Sequence, residues 1–164
     1  MDEEIATIVS EHGWFFANVS DAAIPFCYTI GLMTTHQHPE LIAFSLGPQG
    51  AYSLFTAMVN AIEQGTRFEE TGIKELQVGV DTHRIKIRRV HESQHPLYLG
   101  FAMGHLTRQG RIGELQAVQV CWPDERGDFP FDLNCNPRLN DLQPRLDIPL
   151  SAQESAEFYR RYGS

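Results

Sequence analysis

A chain of 164 residues, 42% hydrophobic and 21% charged, is long enough to bury a core as one domain spanning residues 1–164 without disulfide or metal staples. Its net charge of −8 excludes the broad basic face that nonspecific nucleic-acid binding needs. No apolar run approaches the ~20 residues of a membrane helix, the acidic start Met1-Asp-Glu-Glu4 is unlike a signal peptide, and three sparse cysteines (Cys27, Cys121, Cys135) fit a reducing, cytoplasmic setting.

Residues 2–12 carry Ile5, Ile8 and Val9 at helical spacing, and Gly13 follows as a C-cap. Trp14–Val19, Pro25–Ile30 and Leu41–Leu46 read as three strands bounded by turn residues. Ala51, Leu54, Phe55, Met58, Val59 and Ile62 then trace the clearest amphipathic helix of the chain, ended by Gly65. Leu76–Val80 and Arg84–His91 are expected as two more strands, joined by Asp81-Thr-His83. A second amphipathic helix starts at Pro96, and Leu115–Trp122 is the last strand. Five prolines predict an irregular wrapping segment over 123–150, and the capping-box pattern Ser151-Ala-Gln-Glu154 opens a C-terminal helix over 151–162. This order is not a βαβ alternation. It predicts an α+β fold with a largely antiparallel, split-barrel-like sheet flanked by helices. No G-x-G-x-x-G or Walker sequence points to a nucleotide fold.

Several short blocks carry more chemistry than packing requires. Cys27-Tyr-Thr-Ile-Gly31 runs off a strand into Leu32-Met-Thr-Thr35, where a glycine lets backbone approach a ligand closely. The hydroxyls of Thr29, Thr34 and Thr35, with free N–H groups around Gly31, suit a phosphate or carboxylate. A plainer reading makes Gly31 a bulge and the threonines strand residues. His36-Gln-His-Pro-Glu40 places two imidazoles and a carboxylate together, so His36, His38 and Glu40 are weak metal candidates, completed from afar by His83, His91 or His105. A hydrogen-bonded loop, with Glu40 orienting His38, is the reading preferred over a metal. Trp122-Pro-Asp124 suggests the acid loop of tyrosine phosphatases, but those need an arginine six positions after the cysteine, where this chain has Met33, Gly127 and Asp141. A proline-led turn, capped by the Asp124 side chain, is what remains. The basic cluster Arg84, Lys86, Arg88 and Arg89 reads as the solvated face of a strand.

The set Gly13-Trp14, Tyr28-Thr-Ile-Gly-Leu32, His38-Pro-Glu-Leu41, Asn60 with Gly65, and Gln119 with Trp122-Pro-Asp124 and Gly127 resembles a bacterial family of small domains of unknown function, over about residues 5–132. In element order the chain is also similar to the FMN-binding split barrels, a likeness of architecture that does not fix function. That likeness implies a homodimer and a bound FMN, with Thr29, Gly31, Thr34 and Thr35 on the phosphate side and Trp122 stacked on the ring. Three functions are carried forward: a small-molecule-binding domain for a flavin-type or similar phosphate-bearing ligand, a noncatalytic acidic protein that binds a basic partner, and a metal-dependent hydrolase on His36, His38 and Glu40.

Overall fold

The computed structural model describes residues 1–162. An N-terminal helix α1 (Asp2–His12) ends at Gly13, whose φ of 92° lets its N–H close on the Val9 carbonyl. Strands β1 (Phe15–Val19) and β2 (Phe26–Ile30) follow, then a one-turn helix α2 (Leu32–His36), strand β3 (Glu40–Phe44) and the long helix α3 (Gly47–Glu63). Strands β4 (Gly72–Val78) and β5 (Asp81–Arg89) form a hairpin. Short helices α4 (His95–Tyr98) and α5 (Gly100–Arg108) lead to β6 (Ala117–Cys121), and α6 (Arg138–Leu142) and α7 (Ala152–Tyr162) close the order.

The six strands form one sheet in the order β1-β2-β3-β6-β5-β4. Every neighbouring pair is antiparallel except β3 and β6, which run parallel with Ile42 beside Gln119. The expected α+β class and largely antiparallel sheet therefore hold. The sheet is not closed into a barrel, and the reason lies in its two apolar faces. On one face Phe26, Tyr28, Ile30, Ile42 and Phe44 pack against Ile5 and Val9 of α1 and Ala102 and Leu106 of α5. On the other, Leu41, Ala43, Leu76, Ile85, Ile87, Val118 and Val120 pack against Leu54, Phe55, Met58, Val59 and Ile62 of α3. Helices on both faces require an open sheet between them, so β1 and β4 remain as free edges.

The hairpin departs from expectation in register. Its turn is the two residues Gly79-Val80, with Val78 paired to Asp81, so Asp81-Thr-His83 belongs to β5 and is not the connection. Only Lys86–Arg89 of β5 pair with β6, which leaves the other end of the hairpin projecting beyond the sheet. Of the basic residues of β5, Arg84 and Arg89 are exposed as expected, while Lys86 and Arg88 are covered. The 123–150 segment lies over them: Arg88 is buried, donates to the Pro130 carbonyl at 2.6 Å and sits 3.5 Å from Asp132, which Lys86 reaches at 2.9 Å. Arg84 donates to the Gly127 carbonyl at 3.2 Å and lies over the Phe129 ring.

Candidate functional site

Glu40 is the centre of the polar architecture. It opens β3 beside the end of β2, and it is fully buried. Its carboxylate accepts from the Thr29 hydroxyl at 2.8 Å and from the backbone N–H groups of Gly31 at 2.9 Å, Leu32 at 3.1 Å and Met33 at 3.4 Å. Thr29 Oγ1 in turn accepts from Leu41 N–H at 2.9 Å, which leaves its own proton for Glu40. The carboxylate thus caps α2 from outside, at the end where orphan N–H groups and the helix dipole favour an anion. Burial pushes the Glu40 carboxyl up to about 7, and the four donors pull it back only part of the way. Of the donors expected to hold a phosphate, the Thr29 hydroxyl and the N–H groups around Gly31 are taken up by a carboxyl group of the same chain.

Gly31 is required by two constraints. Its φ is 114°, and a Cβ there would lie 2.8 and 2.9 Å from the Val9 methyl groups. Around it, Thr34 Oγ1 donates to the Gly31 carbonyl at 3.0 Å and Thr35 Oγ1 to the Gly13 carbonyl at 2.7 Å. Thr29, Gly31, Thr34 and Thr35 are therefore brought together, each engaged within the chain. Trp122 stands apart from them. It follows β6, where its indole N–H donates to the Phe44 carbonyl at 2.8 Å, at the far end of β3 from Glu40. Its backbone N–H and carbonyl exchange bonds with the Gln143 amide at 3.0 and 2.9 Å.

His38 is not oriented by Glu40, contrary to the expected loop. Its Nε2 accepts from Phe68 N–H at 2.9 Å, which places the proton on Nδ1, 2.8 Å from the Pro39 carbonyl. Burial lowers its pKa, so it is held neutral, and it pins the segment after α3 against the start of β3. His36 points elsewhere, with Nε2 3.9 Å from Glu63. Among the described residues no three His, Cys, Asp or Glu side chains gather as a metal set. The cysteines are all buried, and burial pushes Cys27 and Cys121 up to about 11, so their thiols stay protonated. Asp124 does cap its turn, accepting from Arg126 and Asp128 N–H at 2.9 Å, and it reaches Asn136 N–H at 2.8 Å.

What the sequence reading passed over is the open flank beside α3. A groove of about 320 Å3 runs between the second half of α3 and β4, lined by Ala57, Asn60, Ala61, Phe68, Lys74 and Leu76 among others. A second hollow of about 320 Å3 lies between the 3-10 turn at Glu92–Gln94 and Leu150, where Ser93 Oγ is 2.9 Å from His91 Nδ1. Ser93 Oγ accepts from Leu150 N–H at 2.9 Å, and Ser93 N–H is 3.1 Å from the same His91 nitrogen, so this pair closes a turn. A periodicity search finds neither surface, because both are made of residues from separate elements.

The charges fall into ion pairs and exposed single groups of both signs, and Lys74, Arg84, Arg89, Arg108, Arg126 and Arg138 are exposed and make no ion pair among the described residues. Arg67, Lys86, Arg88, Arg111 and Arg145 are each in an ion pair with Glu69, Asp132, Asp132, Glu114 and Asp147 respectively. Arg67 also donates to the carbonyls of His36 and Gln37. Asp2, Glu3, Glu4, Glu11, Glu70, Glu75 and Asp81 are exposed and, among the described residues, make no ion pair. No helix of the described residues is long and apolar enough to cross a membrane.

No curated protein and no solved structure matches the chain. A family model does, over residues 8–136, close to the stretch expected from the sequence blocks. That range runs from α1 through all six strands and the Glu40 cage, and on this match the chain belongs to DUF4262, a domain of unknown function.

Proposed function

We propose that this domain acts by binding, presenting an acidic surface to a basic protein partner. The observation that carries the reading is the acidic face of α1, where Asp2, Glu3, Glu4 and Glu11 are exposed on a helix that holds no Lys or Arg and, among the described residues, make no ion pair. With a net charge of −8, such a surface steers a basic partner and weakens with salt. The residues behind the flavin-type reading support a structural role as well, since Thr29 and Gly31 already hold Glu40. The hydrolase reading meets the same objection at Glu40 and His38, whose acceptors are filled.

Immobilised domain should retain a defined set of basic proteins from extract at low salt and release them at high salt. An unrelated protein of matched size and net charge serves as the control. Equal retention by that control would remove the reading. FMN retained after desalting, seen as flavin absorbance, would instead restore the cofactor-binding domain, and bound metal by elemental analysis would restore the hydrolase.

A further inference from the structure

Strand β4 ends the sheet and hydrogen-bonds to β5 alone. The two-residue turn makes Val78 and Asp81 a hydrogen-bonded pair, so alternation turns the N–H and C=O groups of Ile73, Glu75 and Gln77 outward. No backbone bond in the fold takes up these groups among the described residues. Ile73, Lys74, Glu75 and Gln77 are exposed. The groove of about 320 Å3 lies along this edge, and its wall on α3 is made of Ala57, Asn60 and Ala61. Its floor includes Phe68 and Leu76, and Phe68 is fixed there by the bond from its N–H to His38. An open strand edge beside a helix, with a channel of mixed apolar and polar lining between them, is the arrangement that accepts an extended peptide as an added strand.

The geometry points to β4 and the α3 groove as a strand-addition site for an extended segment of another protein, with apolar side chains entering the groove and a Lys or Arg opposite Glu75. Residues of the added strand opposite Lys74 and Leu76 face α3, because those two share the face of Ile85 and the α3 core. The residue opposite Glu75 faces the other side, where Arg84 is the register partner of Glu75 on β5 but donates to the Gly127 carbonyl, and Glu75 makes no ion pair among the described residues. This inference rests on the reading of a basic partner and gives that partner a place and a conformation. In a second copy, antiparallel pairing about a two-fold axis at Glu75 or Lys74 sets like charges directly opposite, which opposes pairing, whereas an axis at Leu76 sets Glu75 against Gln77, so a dimer through this edge is one outcome of the test.

The test uses the full chain and two capped, fluorescein-labelled heptapeptides, one alternating valine and lysine, the other valine and glutamate. Binding is read by anisotropy at low salt. Gln77→Pro removes an outward N–H and leaves the ladder to β5 intact; Ala61→Phe fills the groove without touching the strand, and covers the case in which the proline variant does not fold. Neither changes the net charge, so both separate strand addition from general attraction to an acidic protein. The valine–lysine peptide should bind wild type at least about tenfold more tightly than the valine–glutamate peptide, and Gln77→Pro or Ala61→Phe should each lose about tenfold. Glu75→Lys should reverse the preference. On binding, the amides of Ile73, Glu75 and Gln77 should become protected from hydrogen exchange.

Failure of the valine–lysine peptide to bind, equal binding of the two peptides, or equal binding by wild type and both folded variants overturns the inference. So does a wild-type dimer that Gln77→Pro dissociates, which gives the edge to a second copy. If the variants retain basic proteins from extract as wild type does, the acidic-surface reading stands and this site falls. If wild type retains none, that reading fails independently of the peptide result.

Discussion

Gly31 and Glu40 are one device made of two parts that lie nine residues apart in the chain. The glycine supplies a left-handed turn and passes under Val9, and the turn aims three N–H groups at the carboxylate. Gly31→Ala must hold a side chain at φ 114° and displace the Val9 methyl groups. The backbone strain costs about 1–2 kcal/mol and the overpacking about 1–3. A fall in melting temperature of about 5–15 °C is expected for a domain of this size, measured by calorimetry. A near-neutral Gly31→Ala would mean that Gly31 is not held as described. Glu40 makes a second prediction, in pH. Its folded-state pKa is raised from 4.5 to about 7, so its contribution to stability is complete below 4.5 and is lost as pH rises through 7. The loss amounts to about 3 kcal/mol at 1.36 kcal/mol per unit. Glu40→Gln cannot ionise, and its unfolding free energy should lack this slope between pH 5 and 8 in urea titrations.

At the scale of elements, His38 has the opposite sign to Glu40. Its pKa lies below the ordinary 6.5, so the stability it contributes is complete above 6.5 and is lost as pH falls through its lowered value. Protonation of Nε2 would remove the acceptor for Phe68 N–H and loosen the join between α3 and β4. Acidification through the lowered His38 pKa should therefore raise hydrogen exchange at Phe68 before it does so at the α3 core, and His38→Gln should abolish that step. The same elements show what a linear reading of the chain can reach. The helices α1 and α3 were legible because their apolar residues repeat at helical spacing, and the strands β1, β2, β3 and β6 because each is a short, largely apolar run bounded by turn residues. Helix α2 was not, since five residues cannot sustain a helix without the Glu40 cap. The hairpin register was misread because β4 and the outer half of β5 are largely exposed, and Asp81-Thr-His83 carries turn-like residues into a strand. The blocks around Thr29 and Glu40 were recognised as chemically special. That their partners were each other depends on strand pairing, which no spacing rule contains.

At the scale of the molecule, the family match ends at residue 136, yet the fold does not. Gln119, at the centre of the sheet, donates to the Pro144 carbonyl at 2.8 Å and accepts from Leu146 N–H at 3.3 Å. Leu146 is buried in the same apolar layer as α1 and α5, and its carbonyl receives His91 N–H at 2.7 Å. Gln143 closes both backbone groups of Trp122. A chain ended at Asn136 would lose the five hydrogen bonds that Gln143, Pro144 and Leu146 make to Gln119, Trp122 and His91, each a net contribution of about 0.5–1.5 kcal/mol, and would expose the apolar surface under Leu146. Those losses together rival the whole stability of a domain, commonly about 5–15 kcal/mol. The truncated chain should therefore expand or aggregate, with scattering mass and a collapsed near-ultraviolet circular dichroism signal as the readout. Gln143→Ala in the full chain should show a fraction of the effect and keep the near-ultraviolet signal. If the shortened chain remains monomeric with native dichroism, the segment after residue 136 is a decoration on the fold; if it does not, the unit that folds extends past the boundary that the family match draws.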